Sequence, residues 1–94
     1  MKVVWSYRAQ REFRMIKAYI AKRDQIAAAD TQADIRSATR RLEQFPHSGP
    51  PTKTSGIRLL QVTGTVHAIP YRLGSDRIEI LSVFDQRRDP EELF

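Results

Sequence analysis

The sequence predicts an α+β fold of two layers, in which an N-terminal strand and a helical hairpin pack on an antiparallel sheet. Apolar residues recur at spacings of three and four in the first half of the chain, which is the period of a helix. A segment rich in Pro and Gly then ends this pattern, and three β-type runs fill the second half. Because amphipathic helices need an apolar surface to cover, the sheet is the expected second layer.

The first two elements are a short strand over residues 1–5 and a helix that follows it directly. Ser6 is a suitable N-cap for a helix that begins at Tyr7. The apolar residues of this helix fall on one stripe, which predicts its buried face: Ala9, Phe13, Ile16 and Ile20.

A second helix is predicted from a cap at Asp30 or Thr31 to Phe45. Pro46 disfavours the helical conformation of the residue before it, and the loop 47–51 cannot continue a helix. The apolar stripe of this helix is expected to contain Ile35, Ala38, Leu42 and Phe45.

Three antiparallel strands are predicted over residues 57–63, 66–73 and 77–84, separated by Thr-Gly-Thr and Gly-Ser-Asp turns. The N-terminal strand is expected to join the same sheet. Pro70 lies inside the second of these runs and lacks the N–H that a ladder needs, so we expect a bulge there.

Composition indicates one small globular unit, and we expect residues 1–94 to form a single domain. The absence of Cys excludes disulfides and thiolate chemistry. No apolar leader or long apolar run is present, so the expected location is cytoplasmic, without membrane contact. The net charge is +5, yet residues 85–94 hold two Arg against four acidic residues, which leaves +7 on residues 1–84. A body this basic attracts polyanions or an acidic protein.

Several segments of the chain occur in a characteristic order. They are 5–9 (WSYRA), 42–49 (LEQFPHSG), 56–60 (GIRLL), 71–72 (YR) and 78–83 (IEILSV). Together with the predicted order of elements, they resemble the RelE/ParE toxins of bacterial type II toxin-antitoxin systems over about residues 3–90, and the ParE branch more closely.

The resemblance implies two different activities. RelE-like toxins cleave messenger RNA on the ribosome, whereas ParE-like toxins, which stabilise plasmids, are DNA gyrase inhibitors that trap DNA breaks. Several RelE members carry a Tyr near the C-terminus, but this chain ends in Phe94, which has no ionisable group. The ParE-like reading is favoured and implies no enzyme; the alternative is a ribosome-dependent mRNA endonuclease. A degenerate toxin that only binds antitoxin is a third reading, suggested by Pro70 and Asp85.

Five side chains are candidates for target contact: Lys53, Arg58, His67, Arg87 and Arg88. A guanidinium can bind a phosphate or carboxylate through two bonds. In the RelE-type alternative, Lys53, Arg58 and Arg88 would bind phosphate.

Four of these five candidates also have a structural explanation. Arg58 could instead pair with Glu79, and the two C-terminal Arg could pair with Asp85 or Asp89. His67 could be a half-buried surface residue. Asp85 stands where many relatives bear a His, and an ordinary carboxylate there would be a weak base near pH 7.

No metal or cofactor is expected, because the chain offers only His47 and His67, no Cys and no clustered carboxylates. The many helix cations interleave with acidic residues and lack an aromatic platform for bases. Direct DNA binding by the chain alone is therefore not expected.

The resemblance also implies a cognate antitoxin, of the ParD kind, whose acidic C-terminal segment wraps the toxin. We expect an apolar groove between the helical hairpin and the sheet to receive it. The predicted groove residues, which could equally be core, are Phe13, Ile16, Tyr19, Ile20 and Leu59.

Overall fold

The structure is a computed structural model that describes residues 1–87. Its elements are β1 (Lys2–Trp5), α1 (Tyr7–Ala21), α2 (Gln25–Arg41), β2 (Ile57–Gln61), β3 (His67–Leu73), β4 (Arg77–Ile80) and β5 (Phe84–Asp85). Neither helix is long and apolar enough to cross a membrane.

The strands form one mixed sheet in the order β1-β4-β3-β2, and β5 also pairs with β3. The pairs β2/β3 and β3/β4 are antiparallel, as predicted. The third predicted run, 77–84, is not one strand but is divided into β4 and β5, and β5 is also antiparallel to β3. Strand β1 joins the sheet as expected, but it runs parallel to β4. Parallel neighbours need a long crossover connection, which the two helices and the β2–β3 hairpin supply. The two helices pack against this sheet, which gives the predicted α+β fold.

The caps explain where the helices begin. Ser6 Oγ accepts a hydrogen bond of 3.1 Å from the Ala9 N–H, and α1 begins at Tyr7 as predicted. The predicted cap of α2 was wrong, because α2 begins at Gln25 and Asp24 Oδ1 accepts bonds of 3.0 Å from the N–H groups of residues 26 and 27. Three consecutive Ala residues follow that cap, and their high helix propensity places Asp30 inside the helix.

The end of α2 also differs from the prediction. The helix stops at Arg41, with Leu42 as its C-cap, and a turn follows before Pro46. Phe45 is consequently off the apolar stripe and 59% exposed, so its assignment to the buried face was wrong. Ile35 and Leu42 are fully buried as predicted.

The hydrophobic core lies between the helices and one face of the sheet. Trp5 and Phe13 meet in an edge-to-face contact, with their ring centroids 5.3 Å apart. Each large apolar side chain buried in this way contributes on the order of 2 kcal/mol. The central members are Ala9, Phe13, Ile35, Leu42, Ile69, Tyr71, Ile78 and Ile80.

The sheet is interrupted beside Pro70. The Pro70 carbonyl accepts a bond of 3.0 Å from the Leu81 N–H, so the backbone of this residue faces β4. Because proline has no N–H, it offers no donor on that side, and residues 81–83 separate β4 from β5. The irregularity predicted at Pro70 therefore lies in the neighbouring strand.

One outer edge of the sheet is covered by the chain itself. The Leu59 N–H donates to the Pro50 carbonyl, and the Thr52 N–H donates to the Ile57 carbonyl, each at 3.0 Å. Pro51 forms a bridge to Arg58 between these two bonds. Residues 50–52 therefore pair with the outer edge of β2.

Glu12 ties α1 to the interruption between β4 and β5. Its Oε1 accepts a bond of 2.6 Å from the buried Ser82 hydroxyl and one of 3.3 Å from the Val83 N–H. Arg8 approaches the same oxygen at 3.5 Å. The carboxylate thus satisfies backbone and side-chain donors that the broken ladder leaves without a partner.

We expect Glu12→Ala to lower the free energy of unfolding by about 2 kcal/mol, because it leaves a buried hydroxyl without an acceptor. Urea denaturation followed by circular dichroism measures this change. The control is Glu43→Ala, which removes an exposed carboxylate from the turn that follows α2. Equal stabilities of the two variants would contradict this role of Glu12.

Candidate functional site

Three of the residues singled out in the sequence meet at one end of the sheet. His67 at the start of β3 lies directly opposite Asp85 on β5. Alternation along β3 places His67 on the same face as the core residue Ile69, which is the face that the helices cover. Arg87 follows closely, and we refer to His67, Asp85 and Arg87 as the His67 cluster.

The Asp85 carboxylate accepts hydrogen bonds from both the side chain and the backbone N–H of Arg87. Arg87 Nε donates to the two carboxylate oxygens at 3.0 and 3.1 Å, and Nη2 donates to Oδ2 at 2.6 Å. The Arg87 N–H adds a bond of 2.9 Å to Oδ1. The expected local pairing of Arg87 with Asp85 is therefore formed, and the guanidinium has a fixed place at the surface.

The ion pair sets the protonation states of both partners. Hydrogen bonding from the Arg87 side chain lowers the pKa of Asp85 from 3.8 to about 2. The same bond raises the pKa of Arg87. At neutral pH the Asp85 carboxylate is ionised and engaged, which makes it an even weaker base than an ordinary Asp. The cluster therefore presents a cation and no free carboxylate base.

His67 is more deeply buried than the sequence suggested. The residue is only 7% exposed, so the expectation of a half-buried surface residue was wrong. The Nδ1 atom is buried and forms no hydrogen bond in the described part of the chain. Burial lowers the pKa of His67 below 6.5, although the Asp85 carboxylate acts in the opposite direction. His67 is therefore neutral at pH 7.

This lowered pKa predicts a loss of stability in mild acid. Between the folded and unfolded pKa values of His67 the unfolded chain binds more protons, so the free energy of unfolding decreases as the pH falls below 6.5. Protonation of Asp85 lowers the free energy of unfolding in the same way but in stronger acid, between pH 3.8 and about 2. We expect His67→Phe to remove the first loss, and urea denaturation at about pH 7.5 and about pH 5.5 measures it.

The matched control for this measurement is His47→Gln, because His47 is exposed. This variant should retain the acid-dependent loss of stability. An equally steep loss in His67→Phe would show that another group causes it.

Arg58 lies apart from the His67 cluster. It faces Tyr71 across the β2/β3 pair, and Tyr71 is four residues along β3 from His67, or about 13 Å. Arg58 Nη1 donates a bond of 2.6 Å to the Gly49 carbonyl. The alternative pairing of Arg58 with Glu79 is not formed, since Glu79 lies 3.9 Å from Arg72 instead.

Tyr71 organises the same loop and was not identified as a functional residue from the sequence. Its hydroxyl donates a bond of 2.7 Å to the Pro46 carbonyl and accepts one of 3.0 Å from the Gly49 N–H. Burial raises the pKa of Tyr71. The sequence did contain a signal that could have identified it, namely a Tyr in a strand predicted to face the core. A buried tyrosine hydroxyl needs a hydrogen-bond partner, and here that partner lies in the loop. We call the set of Tyr71, Arg58 and Gly49 the loop clamp.

Of the other two target-contact candidates, the structure describes only Lys53, which belongs to neither group. Lys53 is exposed in the segment between Gly49 and the start of β2. Arg88 lies outside the described residues.

The five predicted groove residues do not share one surface. Phe13 is buried in the core, while Ile16 and Ile20 are half-buried on α1. Tyr19 is 64% exposed, and its ring contacts the Arg23 guanidinium at 5.6 Å. Leu59 points to the sheet face opposite the helices, since its neighbour Leu60 packs on the core.

The described residues contain no group of three or more His, Asp or Glu side chains that could hold a metal ion. The chemistry available at the His67 cluster is therefore that of a fixed guanidinium, a neutral imidazole and an engaged carboxylate. This arrangement can bind an anionic group, because Arg87 is exposed beside it.

Comparison with known proteins places this geometry in a family. Residues 3–90 match the family model described as the ParE toxin of the type II toxin-antitoxin system, parDE. The chain belongs to the ParE toxin family. It is also 39% identical over 82 residues to “Putative toxin Y4kP” of Sinorhizobium fredii, covering 87% of this chain and 84% of that protein.

A solved structure confirms the fold of this ParE family member. The chromosomal ParDE TA system from P. aeruginosa contains a chain that superposes with a TM-score of 0.79 at 23% sequence identity. The match covers 90% of this chain and 95% of the other. Assignment to the RelE/ParE toxins, and to their ParE branch, is thereby confirmed. The protein is a toxin of a ParDE-type system, and the family implies an antitoxin partner.

Proposed function

We propose that this ParE family toxin acts in the cytoplasm as a DNA gyrase poison, and that a ParD-like antitoxin neutralises it. In this mechanism the toxin makes no covalent change itself. It binds gyrase and stabilises the state in which the enzyme has cleaved DNA. Binding energy is then the whole activity, and the toxin needs exposed, well-positioned contact groups rather than a general base.

The observation that carries this proposal is the engagement of Asp85 by Arg87. A nuclease needs a group that takes up the proton of the 2′-hydroxyl, and a carboxylate with a pKa of about 2 serves that purpose poorly. By contrast, the same bonds hold the Arg87 guanidinium in one orientation at the surface. Pre-organisation lowers the entropy lost when such a side chain binds a partner. Arg87 is therefore the first residue to test.

The test incubates purified toxin with DNA gyrase, supercoiled plasmid and ATP, and then denatures the mixture to reveal linear DNA. We expect Arg87→Ala to lower the yield of linear DNA at least about tenfold, the effect of losing one charged contact. The control is Arg77→Ala, which removes an exposed cation elsewhere on the sheet. Arg88→Ala tests the second C-terminal candidate. No linear DNA at a large molar excess of toxin would reject gyrase as the target.

A ribosome-dependent mRNA endonuclease is the second candidate function. The observation in its favour is His67, which is neutral at pH 7 and lies beside the Arg87 cation. A neutral imidazole can accept a proton in general-base catalysis. The same toxin added to translating ribosomes should then cut the message, and His67→Gln should abolish cutting. If neither gyrase nor ribosomes respond, a degenerate toxin that only binds antitoxin is the remaining reading.

A further inference from the structure

The outer side of α1 carries three large apolar residues that are exposed to solvent, Tyr7, Met15 and Tyr19. Single exposed apolar residues are common on protein surfaces. Met15 and Tyr19, however, are four residues apart in the helix and therefore lie side by side on one face. Tyr7 is about 18 Å from Tyr19 along the helix axis and about a third of a turn round it. Met15 and Tyr19 thus form a small apolar patch from which Tyr7 is separate.

This patch lies on the side of α1 that faces the His67 cluster. Glu12 identifies that side, because its carboxylate binds the segment between β4 and β5. Met15 and Tyr19 follow Glu12 at spacings of three and seven, which keeps the three residues on one face of the helix. The hydrogen bond to Asp85 has the largest effect on the raised pKa of Arg87, and the Tyr19 side chain raises it further. The apolar patch therefore adjoins the Arg87 guanidinium.

The side chains beside the patch are held in place. The Arg23 guanidinium lies 5.6 Å from the centroid of the Tyr19 ring, a cation–π contact that restricts both groups. Hydrogen bonds to Asp85 hold Arg87. We call the set of Met15, Tyr19, Arg23 and Arg87 the Tyr19 surface. Because these contacts already order three of its side chains, little conformational entropy is lost when a partner binds them.

The composition of the Tyr19 surface suits a protein partner with acidic groups. Aromatic residues, Met and Arg are enriched in protein interfaces, and Tyr and Arg are common among the residues that contribute most binding energy. The surface contains two cations and no carboxylate, and the neighbouring Asp85 is already paired with Arg87. A single-stranded nucleic acid fits less well, because it binds in basic grooves that follow its backbone, whereas this surface is the outer side of a helix.

We propose that the Tyr19 surface is where the toxin binds gyrase, with the Tyr19 ring as the central apolar contact and Arg87 bound to an acidic group of the enzyme beside it. This inference rests on the proposed function, in which Arg87 contacts gyrase. It extends that contact from a single cation at the end of the sheet to α1. Because both groups contact one site on the enzyme, their contributions to binding depend on each other.

The first experiment measures the Kd of the toxin for immobilised gyrase in the presence of a DNA duplex. We expect Tyr19→Ala to raise the Kd at least about tenfold and to lower the yield of linear DNA in parallel. Tyr19→Phe retains the ring and should keep most of the binding. The matched control is Tyr7→Ala, which removes an exposed ring from the same helix outside the surface. Circular dichroism checks that each variant is folded. Equal losses in Tyr19→Ala and Tyr7→Ala would overturn the proposal.

A double-mutant cycle then tests whether Tyr19 and Arg87 contact one site. The losses caused by distant, independent residues multiply, whereas those of residues that share a partner do not. We expect Tyr19→Ala/Arg87→Ala to lose at least about twofold less binding than the product of the two single losses. For Tyr7→Ala/Arg87→Ala the losses should multiply. Multiplied losses for the Tyr19 and Arg87 pair would overturn a shared surface.

The outcomes separate this inference from the proposed function. If the wild-type toxin neither binds gyrase nor yields linear DNA, both are rejected. If it does both and Tyr19→Ala behaves like the wild type, the Tyr19 surface is rejected and gyrase remains the target. Binding of a DNA oligonucleotide without gyrase, lost in Tyr19→Ala, would identify DNA as the partner and overturn the choice of a protein.

Discussion

Replacing Gly49 with alanine is expected to lower the free energy of unfolding by about 3 kcal/mol, near the upper end of typical overpacking costs. A Cβ atom at this position would lie 2.8 Å from Tyr71 Cε1 and 2.9 Å from the Leu59 carbonyl carbon and oxygen. The Leu59 contacts are with backbone inside a paired strand, so they cannot move aside without breaking the β2 edge. Urea denaturation measures the loss.

Gly74→Ala is the matched control for this prediction. A Cβ there would meet one atom, the Arg77 carbonyl oxygen, at 3.1 Å. We expect a cost below about 1 kcal/mol, because a small local shift relieves a contact of this length. Similar stabilities of the two variants would show that the loop at Gly49 can relax.

Tyr71→Phe is expected to cost about 2 kcal/mol although the ring is retained. The lost hydroxyl leaves the Gly49 N–H without its acceptor and the Pro46 carbonyl without its donor. Removing one member of a buried hydrogen-bonded set costs more than the bond contributes, because the remaining groups stay desolvated. Amide hydrogen exchange should report faster exchange at Gly49.

The control is Tyr7→Phe, in which the wild-type side chain is 91% exposed. Its hydroxyl is in contact with water, so its removal should change stability by no more than about 0.5 kcal/mol. If Tyr71→Phe were as stable as this control, water would have to replace the hydroxyl in the loop clamp.

Much of the fold could be predicted because its signals are local. The cap at Ser6, the stripe containing Phe13 and Ile16, and the change of period after Pro46 each depend on a few neighbouring residues. The direction of β1 could not be predicted in this way. Its partner is β4, more than seventy residues later in the chain. The alternating pattern of a four-residue strand does not indicate whether that strand runs parallel or antiparallel to its partner.

The sequence identified residues of the candidate site but did not predict the contacts that these residues make. His67, Arg58 and Arg87 were each singled out, but the partner of each is set by sheet register and loop path. Arg58 binds the Gly49 carbonyl rather than Glu79 because the loop 46–51 returns beside β2. Burial of His67 depends on which face of β3 the helices cover, and alternation alone does not decide that.

The covering of β2 by residues 50–52 has a consequence for self-association. A filament in which the β-sheets of successive subunits pair edge to edge can grow only if each subunit has two unpaired sheet edges. One edge pairs with the preceding subunit and the other with the following subunit. In the part of the chain that the structure describes, β2 is already paired on its outer side, which leaves β1 as the free end of the sheet order. Edge-to-edge joining of two copies through β1 would then use up both free edges. Such an assembly stops at two subunits and cannot lengthen into a fibre.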